Sequence, residues 1–199
     1  MHKSNITLVK PTIDLKSAFL AMVDEYRVLR ETATYTLSRD ITALAANCHS
    51  AGNQLYREGL DRCETFEAYV RRLNDYAHGL NVPDGYVPSS TFWLVRDGQT
   101  VLGCSRLRHR LTPALEHEGG HIGYDIRPSE RRKGYGTRVL SLTLAKALEI
   151  GITRVLVTCA SDNMASAKII QKNGGVFAGE VVASHTPKPV SRYWIDLNG

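Results

Sequence analysis

This chain has no long apolar segment of the kind that crosses a membrane. A helix needs about 18 consecutive apolar residues to span a bilayer, and no such run occurs in the sequence. No secretory leader or lipidation signal is recognisable either. The sequence therefore predicts a soluble, cytoplasmic protein with no membrane partner.

Cysteine is also scarce, with four residues among 199. Their positions give neither a C-x-x-C pair nor the spacing of a zinc site; they are Cys48, Cys63, Cys104 and Cys159. We therefore expect reduced thiols and no bound metal.

Two common phosphate-binding motifs are missing as well. The P-loop pattern G-x-x-x-x-G-K-[ST] does not occur. The dinucleotide fingerprint G-x-G-x-x-G is incomplete, because Val139 stands where the third glycine belongs after Gly134 and Gly136. These absences exclude P-loop and Rossmann-type nucleotide sites.

The elements that are present form a mixed α/β pattern. Hydrophobic residues make up 43% and charged residues 23% of the chain, which suits one globular core. Periodicity predicts a strand at 5–10, a helix from Asp14, a helix at 65–78, and strands at 91–95 and 100–104 around the turn Asp97-Gly98. Residues 31–62 carry no clear pattern. No linker divides the chain, so residues 1–199 are expected to form a single domain.

The most informative segment is a basic, glycine-containing loop at residues 127–137. Before it, Ile122, Tyr124 and Ile126 alternate as in a strand; after it, apolar residues from Val139 onward repeat at helical spacing. The loop therefore sits where a helix begins. The unpaired N–H groups and positive dipole end of a helix attract anions there. This arrangement predicts capture of a phosphorylated cofactor.

The loop and the segments after it resemble one enzyme family. Arg131-x-x-Gly134-x-Gly136 is similar to the R/Q-x-x-G-x-G/A loop of the GCN5-related N-acetyltransferases. The strand at 153–160, the helix beginning near Asn163, and strands at 175–182 and 191–197 follow in the family's order. The resemblance covers roughly residues 91–197.

The resemblance implies an α/β fold with a central mixed, mostly antiparallel sheet that is splayed at the acetyl-CoA site and flanked by helices. Residues 91–197 would form the acetyl-CoA-binding core. Residues 1–90 would contribute a strand and helices to the acceptor pocket. Carboxylates near that pocket could attract a cationic amine, although scattered carboxylates are usually solvated surface; they are Glu25, Glu31, Glu116 and Glu118.

By the same resemblance, backbone N–H groups of the loop would wrap the pyrophosphate of acetyl-CoA, and the Ile126 N–H would donate to the acetyl carbonyl. Asn163 either caps its helix or borders the CoA arm, and both roles are compatible. The full set of expected cofactor-binding residues is Ile126, Arg127, Arg131, Arg132, Lys133, Gly134, Tyr135, Gly136, Thr137 and Asn163.

The acid and base of the reaction are less well marked. In the family a tyrosine seven residues after Asn163 commonly protonates the thiolate, but this chain has Ile170 there. Counting back by twos from Ile126 along an extended strand leads to Tyr124, a candidate acid, and to Glu118, a candidate base acting through water. His121 is a further candidate because histidine titrates near neutrality. For each of these side chains a purely structural role is as well supported.

The resemblance implies transfer of acetyl from acetyl-CoA to a primary amine, a small molecule rather than a protein, in a ternary complex. A homodimer is possible. The alternative is a non-catalytic acyl-CoA-binding or sensing module, which Ile170 favours.

The basic balance of the chain raises a third reading, nucleic-acid binding. The formal net charge is +5, but no nucleic-acid module and no basic stripe interleaved with aromatic residues is recognisable. A second basic run at residues 106–110 is interpreted as the solvated face of a strand. We therefore expect no nucleic-acid partner.

Overall fold

A computed structural model describes residues 4–32, 63–182 and 189–198. The strands are β1 (Ile6–Val9), β2 (Ser89–Arg96), β3 (Thr100–Arg108), β4 (Ile122–Ile126), β5 (Arg154–Ala160), β6 (Val176–Val182) and β7 (Pro189–Asp196). The helices are α1 (Lys16–Thr32), α2 (Cys63–Ala77), α3 (Pro113–His117), α4 (Tyr135–Glu149) and α5 (Met164–Lys172). Short 3-10 turns at Ile13–Leu15 and Pro128–Glu130 precede α1 and α4.

The strands form one seven-stranded sheet in the order β1-β2-β3-β4-β5-β7-β6. All neighbouring strands pair antiparallel except β4 and β5, which are parallel and meet at the single pairing of Ile122 with Val157. The parallel pair is possible because α4 provides the crossover connection between the two strands. The mixed, mostly antiparallel sheet expected from the resemblance is confirmed.

Helices cover both faces of the sheet. On one face, α1 and α2 pack on β2 and β3 around Phe19, Phe66 and Trp93, with the rings of Phe19 and Trp93 stacked at 4.6 Å between centroids. On the other face, α4 and α5 pack on β3, β4, β5 and β7 through a cluster that includes Leu140 and Ile170. The result is a layered α/β/α arrangement with the sheet in the middle.

The element boundaries agree with those predicted from periodicity to within two residues, except that β3 continues to Arg108 where the prediction ended at residue 104. The hairpin turn at Asp97-Gly98 has positive φ at both residues, 52° and 69°, which is the type I′ geometry that Asp-Gly favours. Most of the unpatterned segment 31–62 lies outside the described residues. None of the helices within 4–32, 63–182 and 189–198 is long and apolar enough to cross a membrane.

The interpretation of residues 106–110 as a solvated strand face is wrong. Arg106 is only 8% exposed, and Arg108 donates from its guanidinium Nη1 to the carbonyls of Gly119 and Gly120, each at 3.0 Å. Both faces of β3 are covered by helices, so alternation of charge with Leu107 does not mark a solvated face here. Burial and the neighbouring Arg106 lower the pKa of Arg108 to about 10.

Candidate active site

The site is organised around the point where β4 and β5 separate. Just before β4, the His121 N–H donates to the Leu156 carbonyl (2.7 Å), and the Leu156 N–H donates to His121 Nδ1 (2.9 Å). Ile122 then makes the one strand pairing with Val157. Beyond that pairing β4 continues beside β3 alone, so a gap opens between β4 and β5.

The peptide groups of Ile126 face this gap. Arg127 donates its N–H to Leu102 on β3 (2.8 Å), and N–H groups point to alternate sides along a strand, so those of Ile126 point away from β3. The Ile126 N–H donates to Asp125 Oδ1 at 2.7 Å. Its carbonyl accepts from the Tyr26 hydroxyl (2.8 Å) and from Arg131 Nε (3.0 Å).

The basic loop follows directly and leads into α4. Two residues adopt left-handed conformations, Arg132 with φ 62° and Gly134 with φ 88°, and Gly134 is the N-cap of α4. The first intrahelical bond runs from the Arg138 N–H to the Gly134 carbonyl (3.2 Å). The N–H groups of the preceding residues, Tyr135 to Thr137, therefore have no carbonyl within the helix and point out of its N-terminal end.

The two loop glycines serve different purposes. A Cβ at Gly134 would meet no atom within 4 Å, so the space in front of the helix end is open. A Cβ at Gly136 would lie 2.5 Å from Ile169 Cδ1 on α5. Gly134 is thus required by its backbone conformation, whereas Gly136 leaves room for the end of the Ile169 side chain between α4 and α5.

Several of the loop's cations bind carboxylates of the protein itself. Arg127 Nε lies 2.6 Å from Glu25 Oε1 on α1, and Glu25 also accepts from the backbone N–H and hydroxyl of Ser129. Although burial alone would raise the pKa of Glu25, hydrogen bonds from Ser129 and Arg127 hold it below its usual value. Lys133 binds Glu130, at 3.1 Å between Nζ and Oε2. Glu25 is therefore a clamp between α1 and the loop, not a carboxylate on the solvated surface.

Because Arg127 and Lys133 are engaged, the outward-facing polar groups of the loop are the backbone N–H groups at the start of α4 and the exposed side chains of Arg132 and Arg138. Arg131 is half-exposed, with its Nη2 3.3 Å from Asp125 Oδ1 and its guanidinium over the Tyr26 ring. Tyr135 packs against the core rather than projecting from it.

Asn163 caps α5. Its Oδ1 accepts the backbone N–H of Ser166 at 3.0 Å, as expected for an asparagine at an N-cap. The capping role is confirmed, and a contact with the CoA arm stays a prediction. Within the described part of the chain, no group of three His, Cys, Asp or Glu side chains is arranged to hold a metal ion.

The predicted strand position of Glu118 is wrong. Glu118 is the C-terminal cap of α3, and Gly119 and Gly120 after it have φ values of 108° and 61°. Since the strand begins only at Ile122, counting by twos does not place Glu118 on the same face as Ile126. The error arose because the two glycines interrupt the extended backbone.

The expectation that His121 titrates near neutrality is also wrong. His121 is buried, and burial together with the charge of Arg108 lowers its pKa to about 4. Its Nδ1 accepts a backbone N–H, so the ring is held neutral with the proton on Nε2. His121 extends the contact between β4 and β5, which is a structural role.

Tyr124 lies on the face of the sheet that α4 and α5 cover. Its hydroxyl is 2.9 Å from the Ser166 hydroxyl, in the first turn of α5. Ile170, one turn further along the same helix, is fully buried. Tyr124 thus brings a phenol to the helix that carries Ile170 in place of the usual tyrosine.

A family model described as acetyltransferase (GNAT) domain matches residues 35–176, well over half of the chain. The chain belongs to the GNAT acetyltransferase family. The expected enzyme class, an acyltransferase of the N-acetyltransferase type, is confirmed, as is the expected fold.

Solved acetyltransferase structures share this GNAT fold at low sequence identity. RimL, a ribosomal L7/L12 alpha-N-protein acetyltransferase in complex with coenzyme A, has a TM-score of 0.61 and 16% identity over 98% of this chain and 97% of its own. The microcin C7 self-immunity acetyltransferase MccE, in complex with acetyl-CoA and AMP, has a TM-score of 0.60 and 12% identity over 96% of this chain and 92% of its own. An N-acetyltransferase from Staphylococcus aureus Mu50 has a TM-score of 0.56 and 18% identity over 98% of this chain and 99% of its own. No curated protein matches the sequence significantly.

Sequence reasoning missed two residues that contact Ile126 in the candidate site, Tyr26 and Asp125. Tyr26 lies in the buried apolar stripe of α1, and nothing local indicates that its hydroxyl reaches Ile126, 100 residues away. Asp125 did offer a signal: it is a carboxylate in a strand, next to the residue expected to contact the acetyl group. It lies on the face opposite Ile126, so strand alternation counted from Ile126 does not point to it.

The low pKa of His121 makes stability of this acetyltransferase depend on pH. The ordinary histidine pKa of 6.5 applies to the unfolded chain, and the folded value is about 4. Below pH 6.5 the unfolded state binds a proton that the folded state does not, so stability falls as the pH drops to 4 and this contribution then levels off. The loss should reach roughly 3 kcal/mol.

Chemical denaturation at a series of pH values measures this loss. A His121→Asn variant keeps an acceptor for the Leu156 N–H but does not titrate. Its free energy of unfolding should therefore not show the fall between pH 6.5 and 4 that is attributed to His121. Equal slopes for wild type and variant between pH 6.5 and 4 would contradict the assignment.

Proposed function

We propose that this acetyltransferase moves an acetyl group from acetyl-CoA to the primary amine of a small molecule, directly and in a ternary complex. The proposal rests on two structural features that lie side by side. An anion-facing helix end with left-handed Gly134 lies next to a strand whose Ile126 peptide faces a gap in the sheet. The first suits a pyrophosphate and the second an acyl thioester.

The expected cofactor residues fit this role through their backbone more than their side chains. The N–H groups of Tyr135, Gly136 and Thr137 would hold the pyrophosphate, aided by the helix dipole. Open space in front of Gly134 supports this placement. Arg132 and Arg138 are exposed at the same end of α4 and add positive charge. Arg127, Arg131 and Lys133 would act through the shape of the loop, since each binds a carboxylate of the protein.

The chemistry requires an oriented thioester, a donor to its carbonyl oxygen and a route for protons. The Ile126 N–H is the candidate donor. Tyr124 is the candidate acid for the departing sulfur, because its hydroxyl lies at the start of α5. This placement would compensate for Ile170, whose side chain cannot donate a proton.

The acceptor is proposed to enter on the α1 and α2 side of the sheet. That face carries buried polar residues, with Ser89 at 6%, Thr91 at 6% and Arg106 at 8% exposure. Polar groups buried this deeply are within reach only of a narrow molecule, which supports a small amine. A protein N-terminus is the second candidate acceptor, because the RimL neighbour is a ribosomal-protein acetyltransferase.

Calorimetric titration of acetyl-CoA, followed by measurement of thiol release in the same samples, tests the proposal. The amine panel should contain monoamines, polyamines, amino acids and a peptide with a free N-terminus. We expect micromolar binding and CoA release that depends on one class of amine. Binding without any amine-dependent release would favour the acyl-CoA sensor instead, and no binding would refute the proposal.

A further inference from the structure

We propose that Asp125 is the residue that receives the acceptor amine, in its ammonium form, beside the acyl group. This inference deepens the proposed function and rests on it. It assigns the acceptor to the class of amines that are protonated before they bind. It also supplies the carboxylate that Glu118, which lies off the strand, does not.

Asp125 lies on the acceptor side of the sheet. Its register partner on β3 is Cys104, and Cys104 belongs to the core that α1 and α2 cover. The neighbouring residue Ile126 packs on the opposite side, against Val139 of α4. The Asp125 carboxylate thus lies on the proposed acceptor side of the sheet, next to Ile126. The N–H of Ile126 is the candidate donor to the thioester carbonyl.

The hydrogen bond between Asp125 and Ile126 links this carboxylate to the reaction centre. Asp125 Oδ1 accepts the Ile126 N–H at 2.7 Å. A single N–H group donates one strong hydrogen bond, so a thioester carbonyl that accepts it replaces the carboxylate oxygen. The side chain then gains an acceptor lone pair within reach of the thioester, where a nucleophile must stand.

Two further contacts hold the Asp125 side chain in place. The Arg131 guanidinium lies 3.3 Å from Oδ1, and the Asp125 side chain is only 12% exposed. Tyr26 is the other neighbour: burial and then the charge of Asp125 raise the pKa of Tyr26 far above its usual range. The Tyr26 hydroxyl therefore stays protonated as a donor.

The acetyl transfer begins with loss of a proton from the bound ammonium. The ammonium nitrogen gives one proton to Asp125, which passes it to solvent, and the free amine attacks the thioester carbonyl carbon. The C–N bond forms, the C–S bond breaks, and the sulfur leaves with the bonding pair. The nitrogen's second surplus proton goes to that sulfur, leaving the amide and CoA thiol.

Asp125→Asn tests the proposal, because it keeps the shape and removes the charge. Acetyl-CoA affinity, measured by calorimetry, should stay within about threefold of wild type, while amine-dependent kcat/KM should fall at least about 100-fold. Asp125→Glu should recover part of that loss. Asp84→Asn, in an exposed turn far from the sheet gap, is the matched control and should leave both quantities unchanged.

The outcomes separate the inference from the proposed function. A wild-type protein that acetylates no amine would refute the proposed function itself. A folded Asp125→Asn variant with wild-type amine kinetics would refute the inference alone, as would one that loses acetyl-CoA binding. If Asp125→Asn does not fold, the amine KM of Asp125→Glu decides: a rise of at least about fivefold supports the assignment, and an unchanged KM overturns it.

Discussion

Replacing Gly134 with aspartate should weaken acetyl-CoA binding at least about 100-fold. The new carboxylate would stand in the open space before α4, where the helix N–H groups face an incoming phosphate. Its negative charge would repel the pyrophosphate and compete for the same donors. Because Gly134 has φ 88°, any side chain there also costs about 1 kcal/mol of folding stability. Calorimetric titration of the folded variant measures the affinity.

Gly151→Asp is the matched control for this experiment. Gly151 lies at the other end of α4, has φ 81°, and a Cβ there would likewise meet no atom within 4 Å. The two variants therefore share the backbone strain and the added charge but differ in which helix end they alter. Acetyl-CoA affinity should be unchanged in Gly151→Asp. Equal affinities in both variants would remove the loop from the cofactor site.

Replacing Gly120 with alanine should lower the free energy of unfolding by about 3 kcal/mol. A Cβ at this position would lie 2.5 Å from the Leu156 carbonyl oxygen, and φ is 61°. The obstacle is backbone, so it cannot rotate away as a side chain could. The strain falls beside the pairing of Ile122 with Val157, where the two strands of the site meet.

Gly98→Ala isolates the contribution of the left-handed backbone. Gly98 has φ 69°, close to that of Gly120, but a Cβ there would meet no atom within 4 Å. Its cost should therefore be limited to about 1 kcal/mol. Denaturant unfolding of both variants compares their free energies of unfolding. Similar decreases in the two would show that the Leu156 carbonyl on β5 does not obstruct a side chain at position 120.

The fold was predictable because its signals are local and repeated. The Asp97-Gly98 turn, the apolar stripe of α2 and the loop around Gly134 each set an element boundary within a few residues. The glycine-containing loop before α4 was predictable for the same reason, since a helix end and its glycines are contiguous in sequence. In each of these places a few neighbouring residues are enough to predict where an element begins or ends.

The contacts around Ile126 in the candidate site were not predictable in the same way. Tyr26 reaches Ile126 across 100 residues, and no periodicity records such a contact. Two consecutive glycines with positive φ, Gly119 and Gly120, displaced Glu118 from the expected face. Arg106 was misjudged because alternation shows which residues share a face, not whether that face is covered.

The single pairing between β4 and β5 divides the sheet into two wings. Strands β1 to β4 form one wing and β5, β7 and β6 the other, with Ile122 and Val157 as the hinge. Away from the hinge, the wings are also joined where Gly136 of α4 meets Ile169 of α5. A side chain at position 136 would require a different rotamer of Ile169, whose Cδ1 is the nearest atom to it. The wings are thus tied together both within the sheet and between the helices that cover it.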